Sequence, residues 1–132
     1  MVKLSALAAS LLLAACSQQT APDQAAPSAV LARLPDAEAG DAAALEGKLA
    51  LVKGCVVVES SGGVHLLALT HPAIRWDGAA LTLRDGQRLA PGAPVMVGGS
   101  QASVGARLDW QVAPPPACTD LPVWIANAVV KR

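Results

Sequence analysis

Beyond Leu45 the apolar positions fall into short runs, each closed within a few residues by glycine, proline or an Asp-Gly pair. This punctuation predicts strands rather than helices. Lys48 to Glu59 is the longest run, β-branched toward its end at Val56-Val57-Val58, with Gly54 inside it where a bulge or sharp bend is expected. Ser60-Ser61-Gly62-Gly63 turns the chain, Val64 to Thr70 returns as a second strand, and His71-Pro72 opens a loop because the proline ring bars a helical continuation. Ile74 and Trp76 precede Asp77-Gly78, and Leu81-Thr82-Leu83 precede Asp85-Gly86; each Asp-Gly pair is a hairpin signal. Pro91-Gly92 has the chemistry of the central pair of a type II turn and leads into Pro94 to Val97. Val104 to Val112 alternates weakly, Pro114-Pro115-Pro116 interrupts, and Val123 to Val130 supplies a last strand.

No segment after Glu46 reads as a helix, so the expected fold class is all-β, a small barrel or sandwich of about five to seven short strands. The long, glycine-bent first strand, the hairpin after it and the Gly-x-x-Val-x-Val-Gly stretch from Gly92 to Gly98 resemble an OB-type barrel, in which one strand bends to serve both sheets. OB folds bind oligonucleotides and oligosaccharides, but a fold does not fix a function.

The chain upstream is written differently. From Ser17 to about Ala44 it is rich in Ala, Pro, Gln, Ser and Asp and lacks aromatic residues. Such a stretch does not offset the entropy of ordering, so it is expected to be a tether with a reach of about 30 Å. A competing reading makes Asp41 to Glu46 a single helical turn capped by Asp41.

Before it, Met1-Val2-Lys3 carries one positive charge and Leu4 to Leu13 is apolar apart from Ser5 and Ser10. That run is too short to span a bilayer, which takes roughly 20 apolar residues, and suits a secretory signal. The competing readings are a plain signal peptide and a buried N-terminal helix. Leu13-Ala14-Ala15-Cys16 resembles the lipobox of bacterial lipoproteins. The resemblance implies cleavage before Cys16, a diacylglycerol thioether on its sulfur and acylation (palmitate) of the new amino terminus. Two or three chains at about 0.8 kcal/mol per buried methylene make such an anchor effectively permanent. It also implies the cell envelope and, in a Gram-negative cell with Ser17 rather than Asp after the cysteine, the periplasmic face of the outer membrane. The expected organisation is thus a signal peptide over 1–15, lipidated Cys16 and tether over 16–44, and a β-domain over 45–132.

The chain of 132 residues has ten basic and ten acidic side chains, and the signal peptide carries away one basic residue and no acidic one. Lys48, Lys53, Arg75, Arg84, Arg88 and Arg107 are interleaved with Asp and Glu, so no nucleic-acid partner is implied, and Lys131-Arg132 reads as a solvated end. Once Cys16 carries lipid, Cys55 and Cys118 remain, 63 residues apart. An even pair in an exported domain is expected to form a disulfide; two buried free thiols are the competing state, and without Cys-x-x-Cys a redox pair is not indicated.

His65 and His71 stand without the convergent cysteines or carboxylates a metal needs, so neither metal nor cofactor is expected. Ser60 or Ser61 with a histidine and Asp77 forms a triad only on paper, since neither serine lies in Gly-x-Ser-x-Gly and both sit in a turn. No catalytic residue is assigned. Among the three tryptophans, with no Phe or Tyr in the chain, core filling accounts for one or two, while Arg75-Trp76-Asp77 places Trp76 between charges near a turn. The proline run serves as a stiff connector to Cys118, a polyproline recognition segment being the alternative. The function expected is a non-enzymatic, lipid-anchored envelope module that binds a periplasmic protein, as an inhibitor or immunity protein in its sharper form, or cell-wall glycan. Recognition would lie on hairpin tips, with Ser60 to Gly63, Arg75, Trp76, Asp77, Arg84 and Arg88 as candidates. A small envelope hydrolase is the alternative; it requires His65 or His71 within hydrogen-bond reach of a carboxylate and a nucleophile in a cleft.

Overall fold

The computed structural model describes residues 29–37, 43–103 and 105–132. The signal segment, Cys16, the tether up to residue 28 and the proposed Asp41 cap lie outside the described residues. The strands are β1 (Ala32–Arg33), β2 (Ala43–Val52), β3 (Cys55–Ser60), β4 (Gly63–Leu69), β5 (Arg75–Trp76), β6 (Leu81–Thr82), β7 (Arg88–Leu89), β8 (Pro94–Gln101) and β9 (Val123–Lys131), with one 3₁₀ turn at Pro116–Cys118. The domain is all-β. One mixed sheet of six strands runs β1-β4-β3-β2-β8-β9, and β5-β6-β7 forms a second, three-stranded sheet.

Each of the five long strands pairs with two others of the set. β2 is antiparallel to β3 and β8, β3 to β4, and β8 to β9, while β9 also pairs with β4 in parallel. β1 adds to β4 in parallel, and Val30 bridges Cys55 at the start of β3.

Three expectations change. Lys48 to Glu59 is not one bent strand: Lys53 and Gly54, with φ of 51° and 79°, form a two-residue turn that sets Val52 opposite Cys55. Both central residues take the left-handed region, as a twisted hairpin requires. The close approach within β2 falls instead at Gly47, where a Cβ would strike the Glu59 carbonyl. Second, Ala43 to Glu46 is not a helical turn but extended chain, paired with Met96 to Gly99. Third, the composition-based tether runs too far, because Ala29, Leu31, Ala32 and Leu34 are buried. Composition hides this, since a handful of small apolar residues suffices once they lie beside β3 and β4. Val104 to Val112 forms no strand among its described residues; only Val112 bridges, to Arg33.

The buried side chains divide into two clusters. Leu49, Val56, Val58, Leu67, Leu69, Val95, Val97, Trp124, Ala126 and Val129 pack with Ala29, Leu31 and the small sheet's Ile74, Leu81, Leu83 and Leu89. On the other face Ala32, Leu34, Cys55, Val57, Leu66, Ala68 and Cys118 are covered by Leu108, Trp110 and Leu121. Cys55 to Val58 and Leu66 to Leu69 are buried without interruption because β3 and β4 are packed on both faces. Cys55 and Cys118 are joined by a disulfide, which fastens the 3₁₀ turn to the first residue of β3.

His65 lies buried on β4, its ring edge-on to Trp124 with centroids 6.2 Å apart. Neither His65 Nδ1 nor Trp124 Nε1 has a hydrogen-bond partner among the described residues.

Candidate functional site

The five residues read as candidate contacts all fall on the three-stranded sheet or its turns, where Asp77 pairs with Arg88, Arg75 and Trp76 line one depression and Arg84 lies apart from both. In the β5–β6 turn Asp77 Oδ1 accepts the backbone N–H groups of Ala79 and Ala80 at 2.9 and 2.8 Å, while Oδ2 pairs with Arg88 on β7. Those two N–H bonds and the nearby guanidinium hold the Asp77 carboxyl below the usual carboxylate range. Asp77 is thus a turn residue, and its pairing with Arg88 is exposed and adds little. Because its folded pKa is depressed, its stabilisation is present above the unfolded carboxylate pKa and disappears as pH falls through the folded one. Asp77→Asn is expected to unfold at lower temperature than wild type near neutrality, with the gap narrowing on acidification. Thermal melts from about pH 7 down to about pH 2 check it, and a gap independent of pH would remove the carboxylate's charge from this account.

Trp76 is half-buried against the core and donates its Nε1–H to the Ala29 carbonyl at 2.8 Å. It clamps the start of the described chain. Arg75 beside it is exposed at the rim of a shallow depression shared with Arg33, Pro72 and Val112. Ser60 is occupied within its own turn, donating to the Gly63 carbonyl and accepting the Gly62 N–H. Among the described residues no cluster of three or more His, Cys, Asp or Glu is disposed to hold a metal ion.

A cavity of about 690 Å³ opens where the C-terminal end of β4 meets the middle of β9 and the β6–β7 turn. Four separate stretches of chain reach it: Asp36 from the N-terminal segment, Thr70 and His71 after β4, Arg84 from the turn, and Asn127 from β9. The loop wall is fixed by Arg33, whose guanidinium donates to the carbonyls of His71 and Ile74. Partial burial draws the Arg33 pKa down; Asp36 opposes this and Arg75 adds to it.

His71 Nδ1 accepts the Ala73 N–H at 3.1 Å, so the proton of the neutral ring resides on Nε2. Thr70 Oγ1 donates to the Ala126 carbonyl at 3.2 Å. Asp36 and Arg84 are both exposed, and the ion pairs among the described residues are Arg88–Asp77 and Arg132–Glu46, neither of which involves them.

Of the candidates read from sequence, Arg84 alone lines this cavity; His71, weighed there for metal and hydrolase chemistry, lines it too. Asp36 and Asn127 were missed. Asp36 is hidden in tether-like composition, whereas Asn127 left a signal as the only asparagine of the chain, set in the apolar run of the last strand. No protein-family model matches this chain, and neither a curated protein nor a solved structure is found similar to it.

Proposed function

We propose that this protein is a lipid-anchored cell-envelope binding module whose domain is an OB-type barrel and whose recognition site is the cavity of Asp36, His71, Arg84 and Asn127. The observation that carries the binding role is the convergence of these polar groups, from four stretches of chain, on one cavity of ligand size. The circuit of pairings β2-β3-β4-β9-β8, with β4 and β9 parallel, supports the barrel. In OB folds the face of the second and third strands receives ligands. The corresponding strands here are β3 and β4, whose outer side chains are covered by Leu108, Trp110 and Leu121. Recognition is thereby displaced to the end of the sheet, away from the groove that takes nucleic acid in such folds.

Leu13-Ala14-Ala15-Cys16 supports the anchor, and the Cys55–Cys118 disulfide suits the oxidising compartment that export reaches. The hydrolase alternative draws less support, because Thr70 Oγ1 and His71 Nδ1 are engaged with backbone groups rather than with each other or a carboxylate.

The test pairs labelled palmitate with affinity capture from cross-linked envelopes. Wild type should take up label and remain with the membrane fraction, and Cys16→Ser should do neither. A reproducible partner should be retained by wild type and lost with Asp36→Asn/Arg84→Gln. Equal labelling of Cys16→Ser removes the anchor, and capture untouched by the double substitution removes the cavity as the site.

A further inference from the structure

We propose that this cavity takes a short peptide by its two ends, Arg84 receiving the carboxylate and Asp36 the ammonium. The assignment rests on reading the cavity as the recognition site and adds the class of ligand. Among the described residues two surface pairs of opposite charge are closed, Arg88 with Asp77 and Arg132 with Glu46. In the cavity, Arg84 and Asp36 line the same space without pairing with each other. A ligand carrying both charges engages both, its ammonium sharing Asp36 with the nearby Arg33 guanidinium; an anion or a cation alone engages one and faces repulsion from the other.

The groups between them suit the middle of a peptide. Asn127 offers an amide that donates and accepts, matching a peptide group, and His71 Nε2–H is a donor for a carbonyl. Pro72, Ala37 and Ala128 supply small apolar walls, which suits small side chains. A volume of about 690 Å³ lies within the range of small-ligand pockets.

A sugar is the less fitting occupant. Saccharides favour an aromatic face, and none of the three tryptophans lines this cavity: Trp76 clamps Ala29, Trp110 lies on the second cluster and Trp124 is buried in the first.

The test is calorimetric titration of the full chain in detergent micelles with Ala-Ala-Ala, its N-acetyl form, its C-terminal amide and N-acetylglucosamine. On wild type, acetylation and amidation should each weaken binding roughly tenfold, as loss of one charge-assisted contact does. Acetylation should cost Asp36→Asn nothing further, and amidation should cost Arg84→Gln nothing further. Both residues are exposed, so the variants should keep the wild-type unfolding temperature, which is measured alongside. The proposal is overturned if Ala-Ala-Ala gives no heat up to roughly 10 mM, a concentration beyond weak millimolar affinity, if the end-group costs are the same in variants and wild type, or if the sugar binds in its place. Should the peptide fail while Asp36→Asn/Arg84→Gln still abolishes envelope capture, the ligand class falls and the recognition site stands.

Discussion

Removing the Cys55–Cys118 cross-link, by Cys55→Ala/Cys118→Ala or by reductant, is expected to cost about 4 kcal/mol of stability. The loop-closure estimate for a cross-link spanning 63 residues gives that size. For a domain of about this length it corresponds to a fall in unfolding temperature on the order of 20 °C. The effect should also have a place. Cys118 sits within the segment whose Leu108, Trp110 and Leu121 cover the outer side chains of β3 and β4, and the disulfide fastens that segment to the first residue of β3. Without it, amide exchange should quicken first at Leu108 to Leu121 and Cys55 to Val57, ahead of β8. Urea unfolding with and without reductant gives the magnitude and exchange gives the location. Equal midpoints in the two conditions would mean that the covering segment holds by packing alone.

Gly99→Ala is expected to be the most damaging single small substitution, costing about 3 kcal/mol or more or abolishing folding. Gly99 sits where the β8–β9 register shifts, and a Cβ there would lie on the Ile125 carbonyl of the paired strand. Backbone cannot rotate aside as a side chain can, so the ladder itself must part. Gly54→Ala is the control. Its φ of +79° disfavours alanine, but nothing lies within 4 Å of the added carbon, so only the conformational cost of about 1–2 kcal/mol applies. Chemical denaturation of both should place Gly99→Ala well below Gly54→Ala. If Gly99→Ala folds poorly, its lower soluble yield beside normal yield for Gly54→Ala gives the same ranking, and equal behaviour of the two would contradict the steric reading.

The turns were the most legible part of the fold. Asp77-Gly78, Asp85-Gly86, Ser61-Gly62 and Pro91-Gly92 all lie at chain reversals, since each carries its own backbone geometry in the residue types. Lys53-Gly54 escaped because apolar residues run up to it from both sides and lysine seldom occupies a positive φ. The N-terminal strand was illegible for another reason: Ala32 and Leu34 are buried only because β4 and the covering segment lie beside them, which no local pattern records. The same holds for the site. Arg84 and His71 stood out by residue type, but their meeting with Asp36 and Asn127 is a product of the strand pairings, with partners drawn from opposite ends of the chain.

The way the chain enters the domain also sets how it would bear a mechanical load. Val30 donates its N–H to the Gly54 carbonyl and accepts the Val56 N–H, so its two hydrogen bonds straddle Cys55. Any tension applied through the residues before Ala29 therefore arrives, just past the Trp76 clamp on Ala29, at the cross-linked position of β3. It is then shared through sulfur with the segment around Cys118, while the parallel contact of Ala32 and Arg33 with β4 is loaded along its length. A protein pulled from its N-terminal side meets that force one hydrogen bond away from where two parts of the fold are covalently riveted.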